Sequence, residues 1–201
     1  MNDTEILAHL ARDAKLAPAL DPRDWVPRNG EPGVYGPLLR AVCGQQLSVA
    51  AARTIWSRFL HHFGEAVPPP ADLLDTDPDT LRTLGLSRQK SAYLRHIASY
   101  FTTHPTALPH WESLDDETIV RELTTIKGVG VWTVRMLLMF ALHRPDVLPV
   151  GDLGIQRGMQ LLYGLDGKGK QLHRQMEAVA EAWRPYRSYA CRSIWRWKGE
   201  Q

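Results

Sequence analysis

Residues 123–155 read LTTIKGVGVWTVRMLLMFALHRPDVLPVGDLGI and combine a glycine-containing turn with an aspartate at the start of a helical pattern. Gly128 and Gly130 lie between two helical patterns and leave the turn backbone bare, so its amides can approach a phosphate closely. Asp152 follows later in the same stretch and supplies a reactive carboxylate. A phosphate-binding turn followed by such a carboxylate indicates an enzyme that acts on DNA.

Each of these two features has an ordinary structural explanation when it is taken alone. A Gly-x-Gly sequence between helices is often a tight connection that needs a positive φ angle. Asp152 could serve only as the N-cap of the helix that starts near Leu153. The rest of the chain must therefore decide whether the turn and Asp152 have a structural or a functional role.

Three further motifs accompany the central segment. They are Gly44–Ser48 with Ala51 and Ala52, Gly85–Ser87 with Lys90 and Tyr93, and Arg184–Ala190 with Ile194 and Trp195. The matching residues of the central segment are Ile126–Thr133, Asp146, Val147, Pro149 and Asp152–Gly154. With these motifs in this order, the chain resembles the helix-hairpin-helix Gly/Pro-rich-loop Asp superfamily of DNA glycosylases, and within it the 3-methyladenine DNA glycosylase II type. The resemblance covers roughly residues 36–197.

The resemblance implies an all-α fold with two helical lobes and a central cleft, the helix-hairpin-helix DNA glycosylase fold. Residues 1–201 would form one glycosylase domain, with lobe one at about 36–122 and lobe two at about 1–35 plus 123–201. Alternating apolar residues are scarce, so a β-sheet domain is not expected. The chain would be a short form without the N-terminal β-rich domain of larger relatives.

Local signals predict where several helices begin. Ser48 and Ser87 are suited to N-cap positions, and the Asp77–Pro78 pair combines a cap with a first-turn proline. Asp115 or Asp116 is expected to start the helix that ends at the glycine-containing turn.

The resemblance assigns the chemistry to Asp152 as the catalytic residue. A base inside a duplex cannot be reached, so it must swing out into a pocket at a cost of a few kcal/mol. Positive charge then develops on the sugar as the glycosidic bond breaks, and a carboxylate stabilises that charge. At about 4 Å and an effective dielectric constant of about 20, the attraction is about 4 kcal/mol, which is roughly a thousandfold in rate. Whether Asp152 also orients or deprotonates the attacking water stays open.

The resemblance also implies contacts to DNA and to the extruded base. Gln46 or Leu47 would be the wedge that fills the space left by the base, although either could be an ordinary residue at a helix start. Alkylated purines carry positive charge, which indole rings attract, so the base pocket is predicted at Trp132, Trp195 and Met136. The predicted phosphate-binding residues are Lys127, Gly128, Val129, Gly130 and Thr133. A structural Na⁺ or K⁺ at the backbone carbonyls of Thr124, Ile126 and Val129 is also implied.

Three positions depart from patterns known in the superfamily. Enzymes of the superfamily that also cut the strand carry a lysine where this chain has Trp132. A tryptophan cannot form an imine with the sugar. Cleavage of the glycosidic bond without AP lyase activity is therefore expected. Gly151 stands where many relatives have a second acid, and Met136 stands where a relative has an aromatic residue. A less aromatic pocket would widen the range of excised bases toward neutral ones.

The basic residues of the last helix form a second candidate DNA contact. Arg184, Arg187, Arg192, Arg196 and Lys198 are interleaved with aromatic residues near the C-terminus. The structural alternative is an ordinary solvated helix face, but such a face has little need for the two tryptophans found there.

Composition sets limits on the other functional classes. The 201 residues carry a formal net charge of +2, which neither requires nor excludes binding to nucleic acid. Two cysteines, Cys43 and Cys191, have no metal-ligand partners nearby and indicate a reduced, cytoplasmic protein. The cysteine quartet of the iron–sulfur branch is absent, so no iron–sulfur cluster is expected. No apolar run is long enough for a membrane span. The chain is expected to be a monomer.

Duplex DNA with alkylated bases is thus the predicted partner, and base excision repair the predicted process. A non-catalytic helix-hairpin-helix DNA-binding module is the alternative, and it leaves Asp152 and the tryptophans unexplained. A glycosylase specific for adenine or oxidised guanine is disfavoured by the missing cysteines and the missing lysine. The sequence does not decide the lesion range, activity on single strands or the role of residues 1–35.

Overall fold

The computed structural model describes residues 2–25, 33–104 and 108–200, and within these ranges the chain forms helices and no strand. The α helices are α1 Asp3–Leu10, α2 Tyr35–Gly44, α3 Val49–His62, α4 Pro70–Asp75, α5 Pro78–Thr83, α6 Arg88–Thr103, α7 Leu108–Ser113, α8 Asp116–Leu123, α9 Val131–Phe140, α10 Leu153–Tyr163, α11 Lys170–Ala180 and α12 Arg187–Gly199. Short 3₁₀ helices occur at Ala17–Ala19, Pro22–Trp25 and Glu181–Trp183. The all-α prediction is confirmed.

Polar side chains cap the helices at the positions that the sequence predicts. The Ser48 hydroxyl accepts a hydrogen bond from an amide in the first turn of α3, and Ser87 does the same for α6. The Asp77 carboxylate caps α5 ahead of a first-turn proline. Asp115, and not Asp116, is the N-cap of α8. Each cap satisfies a backbone N–H that has no partner inside its helix.

One compact unit comprises Gly30–Leu137. Helix α6 is its centre and packs against α2, α4 and α5. The side chains of Leu94, Ile97 and Phe101 on α6 are buried in this core. The sequence spacing of these residues matches the 3.6-residue helical period, which explains why one side of α6 faces its neighbours.

The other compact unit comprises Met1–Asn29 and Leu138–Gln201. Helix α12 packs against α10 and against the first two 3₁₀ helices. The Trp183 indole is fully buried and donates a hydrogen bond to the Asp13 carboxylate, and the Tyr163 hydroxyl donates to the same oxygen at 2.6 Å. Although burial opposes ionisation, these hydrogen bonds hold the pKa of Asp13 below its ordinary value.

The boundary between the units falls inside α9, between Leu137 and Leu138. The sequence prediction groups everything from residue 123 onward with the N-terminal segment. The glycine-containing turn instead belongs to the unit of α2 and α6, because Tyr93 of α6 packs directly against Gly128.

Both cysteines are buried and form no disulfide. Burial raises the pKa of the Cys43 thiol to about 12 and also raises the pKa of the Cys191 thiol. In the parts of the chain that the structure describes, no helix has the length and apolar character needed to cross a bilayer.

Candidate active site

Asp152 is the N-cap of α10 and is held by two described hydrogen bonds. Its Oδ1 atom accepts one from the backbone amide of Ile155 at 2.9 Å and one from the indole Nε1 of Trp195 at 2.7 Å. The side chain is half-buried. The predicted cap and the predicted catalytic residue are therefore the same group, and a helix N-terminus is a favourable place for a negative charge.

The loop that precedes Asp152 is bound to the start of α12. Buried Ser188 accepts a hydrogen bond from the Val147 amide at 2.9 Å and donates one to the Arg144 carbonyl at 2.7 Å. The amide of Asp152 itself donates to the Pro149 carbonyl at 2.8 Å. The backbone of the loop is thus held by hydrogen bonds to Ser188 of α12 and, beside the site, by one bond within the loop.

Two glycines allow α12 to lie close to α10. A Cβ atom on Gly154 would lie 2.9 Å from Cδ1 of Trp195, and one on Gly158 would lie 2.3 Å from Cγ2 of Ile194. Real Cβ atoms do not approach other atoms so closely, so any larger residue would push the helices apart. The G-x-x-x-G spacing on α10 is what brings the Trp195 indole within hydrogen-bond distance of Asp152.

An aromatic and a cationic side chain support Trp195 from within the same unit. The Phe140 ring stacks on the Trp195 indole, with centroids 5.8 Å apart and planes inclined by 27°. The Arg192 guanidinium lies over Phe140, 5.0 Å from the ring centroid. Arg192 is buried and donates to the carbonyl groups of Trp25 and Met139. The sequence prediction assigns no role to Phe140, and it places Arg192 among the DNA contacts.

The glycine-containing turn between α8 and α9 is built around Gly128. Its φ angle is +100°, and a Cβ atom there would lie 2.2 Å from Cγ of Tyr93. The Gln45 side-chain amide donates a hydrogen bond to the Gly128 carbonyl at 3.2 Å. Ile126 and Val129 are buried and anchor the turn. Gln45 and Tyr93, which belong to two of the other sequence motifs, thus both contact this turn.

The turn leaves backbone amides available on its exposed side. Within the described residues, the amides of Lys127, Gly128 and Gly130 donate no hydrogen bond. The amide of Val129 instead donates to the Ile126 carbonyl at 3.0 Å. Val129 was predicted to bind phosphate, but its amide is engaged and its side chain is buried, so its role is to anchor the turn. The Thr133 side chain is also buried, so that residue could contact phosphate only through its backbone.

Gln46 lies in the tight turn between α2 and α3 with a positive φ angle of 59°. Gln45 has φ −52° and ψ 133°, and the Leu47 amide donates to the Gly44 carbonyl, which together define a type II turn. Gln46 is exposed, and Leu47 is 40% exposed. Both wedge candidates therefore lie at the surface, and Gln46 occupies a position that favours glycine.

The remaining pocket candidates lie one helical turn apart on α9. Trp132 is 45% exposed and Met136 is half-buried. Large apolar side chains are normally covered, so this exposure of Trp132 is unusual. Trp132 and Met136 belong to the unit Gly30–Leu137, and Asp152 and Trp195 belong to the other unit. Trp56 and Trp183 are buried in the core.

Four of the five basic residues near the C-terminus that are predicted to contact DNA have intramolecular partners, and their contact with DNA stays a prediction. Their guanidinium groups bind partners in the same unit: Arg184 and Arg187 with Asp146, Arg192 with the carbonyls of Trp25 and Met139, and Arg196 with Asp24 and Glu200. Apart from the local pairs of Arg184 with Glu181 and of Arg196 with Glu200, these partners are distant in sequence, so the charge pattern alone does not reveal them. Lys127 is exposed and lies in the turn between α8 and α9, next to Gly128.

The described residues contain no cluster of three or more His, Cys, Asp or Glu side chains that could bind a metal ion. In the turn between α8 and α9, the Ile126 carbonyl accepts the Val129 amide, whereas the Thr124 and Val129 carbonyls accept no hydrogen bond from the part of the chain that the structure describes. The predicted Na⁺ or K⁺ site at these carbonyls stays a prediction.

Comparisons with known proteins identify a matching family model and several relatives. A family model described as "HhH-GPD superfamily base excision DNA repair protein" matches residues 39–185. DNA-3-methyladenine glycosylase 1 of Schizosaccharomyces pombe is 35% identical over 167 residues, which are 81% of this chain and 71% of that protein. DNA-3-methyladenine glycosylase 2 of Escherichia coli is 30% identical over 174 residues. The chain spans 57% of the length of the E. coli protein and 58% of a Bacillus subtilis relative.

Solved structures show the same fold over almost the whole chain. The crystal structure of a DNA-3-methyladenine glycosidase from Bacillus halodurans has a TM-score of 0.80 and 31% identity, and the match covers 99% of this chain and 90% of that one. The S. pombe 3-methyladenine DNA glycosylase in complex with abasic DNA has a TM-score of 0.82 and 30% identity, with coverage of 96% and 95%.

Proposed function

The chain belongs to the HhH-GPD superfamily of base excision DNA repair proteins, and we propose that it is a monofunctional glycosylase for alkylated bases in duplex DNA. It would hydrolyse the N-glycosidic bond of bases such as 3-methyladenine and 7-methylguanine. The observation that carries the proposal is the Asp152 carboxylate, which is fixed at the N-terminus of α10 by the Ile155 amide and the Trp195 indole. The names of the relatives in yeast and bacteria support the same substrate class.

The proposed chemistry requires a negative charge beside the deoxyribose. Positive charge develops on the sugar as the bond to the base lengthens, and Asp152 would stabilise it electrostatically. Because the carboxylate is already oriented by two hydrogen bonds, little reorganisation would be needed during the reaction. Water then attacks the sugar carbon, and the free base and an abasic site are the products.

The base pocket would include the exposed indole of Trp132 and the adjacent Met136. Cationic methylpurines are attracted to the face of an indole ring. Such bases are also good leaving groups, so the pocket would need little acid catalysis. With methionine in place of an aromatic residue, the pocket would accept neutral or otherwise methylated bases as well, and excision limited to 3-methyladenine in a panel of damaged bases would contradict this.

The turn between α8 and α9 would bind the DNA backbone. The available amides of Lys127, Gly128 and Gly130 and the positive Lys127 side chain suit a phosphate and read no base. The number of such contacts is small, so a moderate dependence of binding on salt is expected. A Na⁺ or K⁺ bound by the turn carbonyls would add positive charge at the same place.

Gln46 would be the wedge that enters the duplex, and its strained backbone is the reason for preferring it to Leu47. A non-glycine residue at this position of a type II turn costs free energy, and such strain is often retained at functional sites. Glycine would relieve the strain, so a glutamine there indicates that the side chain itself is needed.

We expect Gln46→Gly to fold at least as stably as the wild type and to excise bases about tenfold more slowly. Chemical denaturation gives the stability, and single-turnover base release gives the rate. Leu47→Ala serves as the comparison, because it removes the other candidate side chain without changing the turn. A normal rate for Gln46→Gly with a slow Leu47→Ala would make Leu47 the wedge.

The proposed function is tested by single-turnover release of bases from randomly methylated duplex DNA, with strand breaks assayed before and after alkali. Release of methylpurines with breaks only after alkali is the expected result. No release with DNA binding intact would support a non-catalytic DNA-binding module. Breaks without alkali would show that the inference from Trp132 about AP lyase activity is wrong.

We further propose that the protein acts as a monomer in the cytoplasm without an iron–sulfur cluster. These proposals rest on the sequence, in which the two cysteines are far apart. Sedimentation with and without DNA would test the monomer, and the absorption spectrum and iron content of the purified protein would test the cofactor.

A further inference from the structure

The contact between Trp195 and Asp152 has features that a base-stacking role does not require. The indole Nε1 donates to Oδ1 of Asp152 at 2.7 Å, which is short for an N–H···O hydrogen bond. Hydrogen bonds to a charged acceptor are shorter and stronger than those between neutral groups. The Ile155 amide donates to the same oxygen, so two donors from different elements converge on one atom of the carboxylate.

The surrounding residues restrict where the indole can lie. Gly154 leaves no room for a Cβ atom beside Cδ1 and Nε1 of Trp195, at 2.9 Å and 3.0 Å. Phe140 stacks on the ring, and buried Arg192 lies over Phe140. The edge of the indole that carries the N–H is therefore directed at Asp152 by packing, and the hydrogen bond does not depend on a bound base.

We propose that Trp195 is a positioning residue for Asp152, whose N–H fixes the orientation of the carboxylate, and not only a wall of the base pocket. The proposal rests on the proposed glycosylase function. If the carboxylate rotated about its Cα–Cβ bond, its distance to the sugar would change, and catalytic rates fall steeply with small displacements. The N–H of Trp195, together with the Ile155 amide, opposes that rotation.

Trp195→Phe separates the two roles, because phenylalanine keeps an aromatic face but has no N–H. We expect single-turnover excision to slow by about tenfold to a hundredfold. The factor should be the same for cationic 3-methyladenine and 7-methylguanine as for neutral hypoxanthine, and the enzyme concentration at half-maximal rate should not change. Trp197→Phe on the same helix is the matched control and should behave as wild type.

A double-mutant cycle with Asp152→Asn gives a readout that a purely structural role would not produce. In the Asp152→Asn background there is no charge to orient, so adding Trp195→Phe should leave the residual rate unchanged within about twofold. Gly154→Ala is a second variant, and it removes no polar group. Its added methyl group would displace the Trp195 indole from Asp152. It should also slow excision about tenfold, and the crowding against Trp195 should lower its melting temperature.

Three results would overturn the proposal while leaving the proposed function intact. They are a wild-type rate for Trp195→Phe, a loss confined to the cationic bases, and an equal loss in the wild-type and Asp152→Asn backgrounds. The second and third would show that the indole acts on the base by stacking. Failure of the wild-type protein to release any base would instead contradict the proposed function itself, so the two failures are distinguishable.

Discussion

Asp152→Asn is expected to slow base excision by at least a hundredfold without destabilising the protein. Asparagine is as good an N-cap as aspartate, so its Oδ1 can still accept the hydrogen bonds from Ile155 and Trp195. Only the negative charge is lost. An attraction of about 4 kcal/mol between the carboxylate and the developing positive charge corresponds to roughly a thousandfold in rate.

Single-turnover release from methylated duplex DNA measures this effect, with spontaneous base loss subtracted. Asp152→Ala is the control for the cap, because it removes the charge and the acceptor together. It should lose the same activity and also about 1 kcal/mol of stability. If Asp152→Asn excised within a few-fold of the wild-type rate, the charge of Asp152 would have no catalytic role and the proposed chemistry would be wrong.

Gly128→Ala is expected to have the largest effect on stability. The residue has a φ of +100°, which alanine rarely adopts, and the new methyl group would overlap the Tyr93 ring. Backbone strain and overpacking together should cost about 3 kcal/mol. For a chain of this length the melting temperature would fall by about 6–12 °C. Thermal and chemical denaturation would measure both quantities.

Gly130→Ala is the matched control two residues away in the same turn. A Cβ atom on Gly130 would meet no atom within 4 Å, so the stability should stay within about 0.5 kcal/mol of the wild type. DNA binding should nevertheless weaken several-fold, because the methyl group hinders a phosphate from approaching the amide. Equal stability of Gly128→Ala and the wild type would show that Tyr93 does not fix the turn.

Local signals in the sequence predicted the helices and their caps well. Ser48, Ser87, Asp77 and Asp152 cap the helices that they precede, because a cap depends only on residues within one turn. The turn at Gly128 was equally readable, since glycine is the residue that its φ angle demands. Interactions of short range along the chain are thus the ones that a single sequence specifies.

Contacts between distant residues were the ones that sequence reasoning missed. The cluster of basic residues near the C-terminus predicts DNA contacts for Arg187 and Arg196. Nothing in that part of the sequence shows that Asp146 binds Arg187 or that Asp24 binds Arg196. Trp195 was assigned to the pocket, but its hydrogen bond to Asp152 depends on how closely two helices approach. One signal was present, namely the four-residue spacing of Gly154 and Gly158, which is typical of close helix packing.

The burial of both thiols affects how the protein would react with the methylating agents that damage DNA. Reagents that methylate DNA also methylate sulfur, and they react with the thiolate far faster than with the thiol. Cys43 and Cys191 are buried, and burial raises the pKa of each, so neither exposes a thiolate at neutral pH. The chain therefore offers methylating agents no ready cysteine nucleophile, and it should stay intact under the conditions that create its proposed substrate.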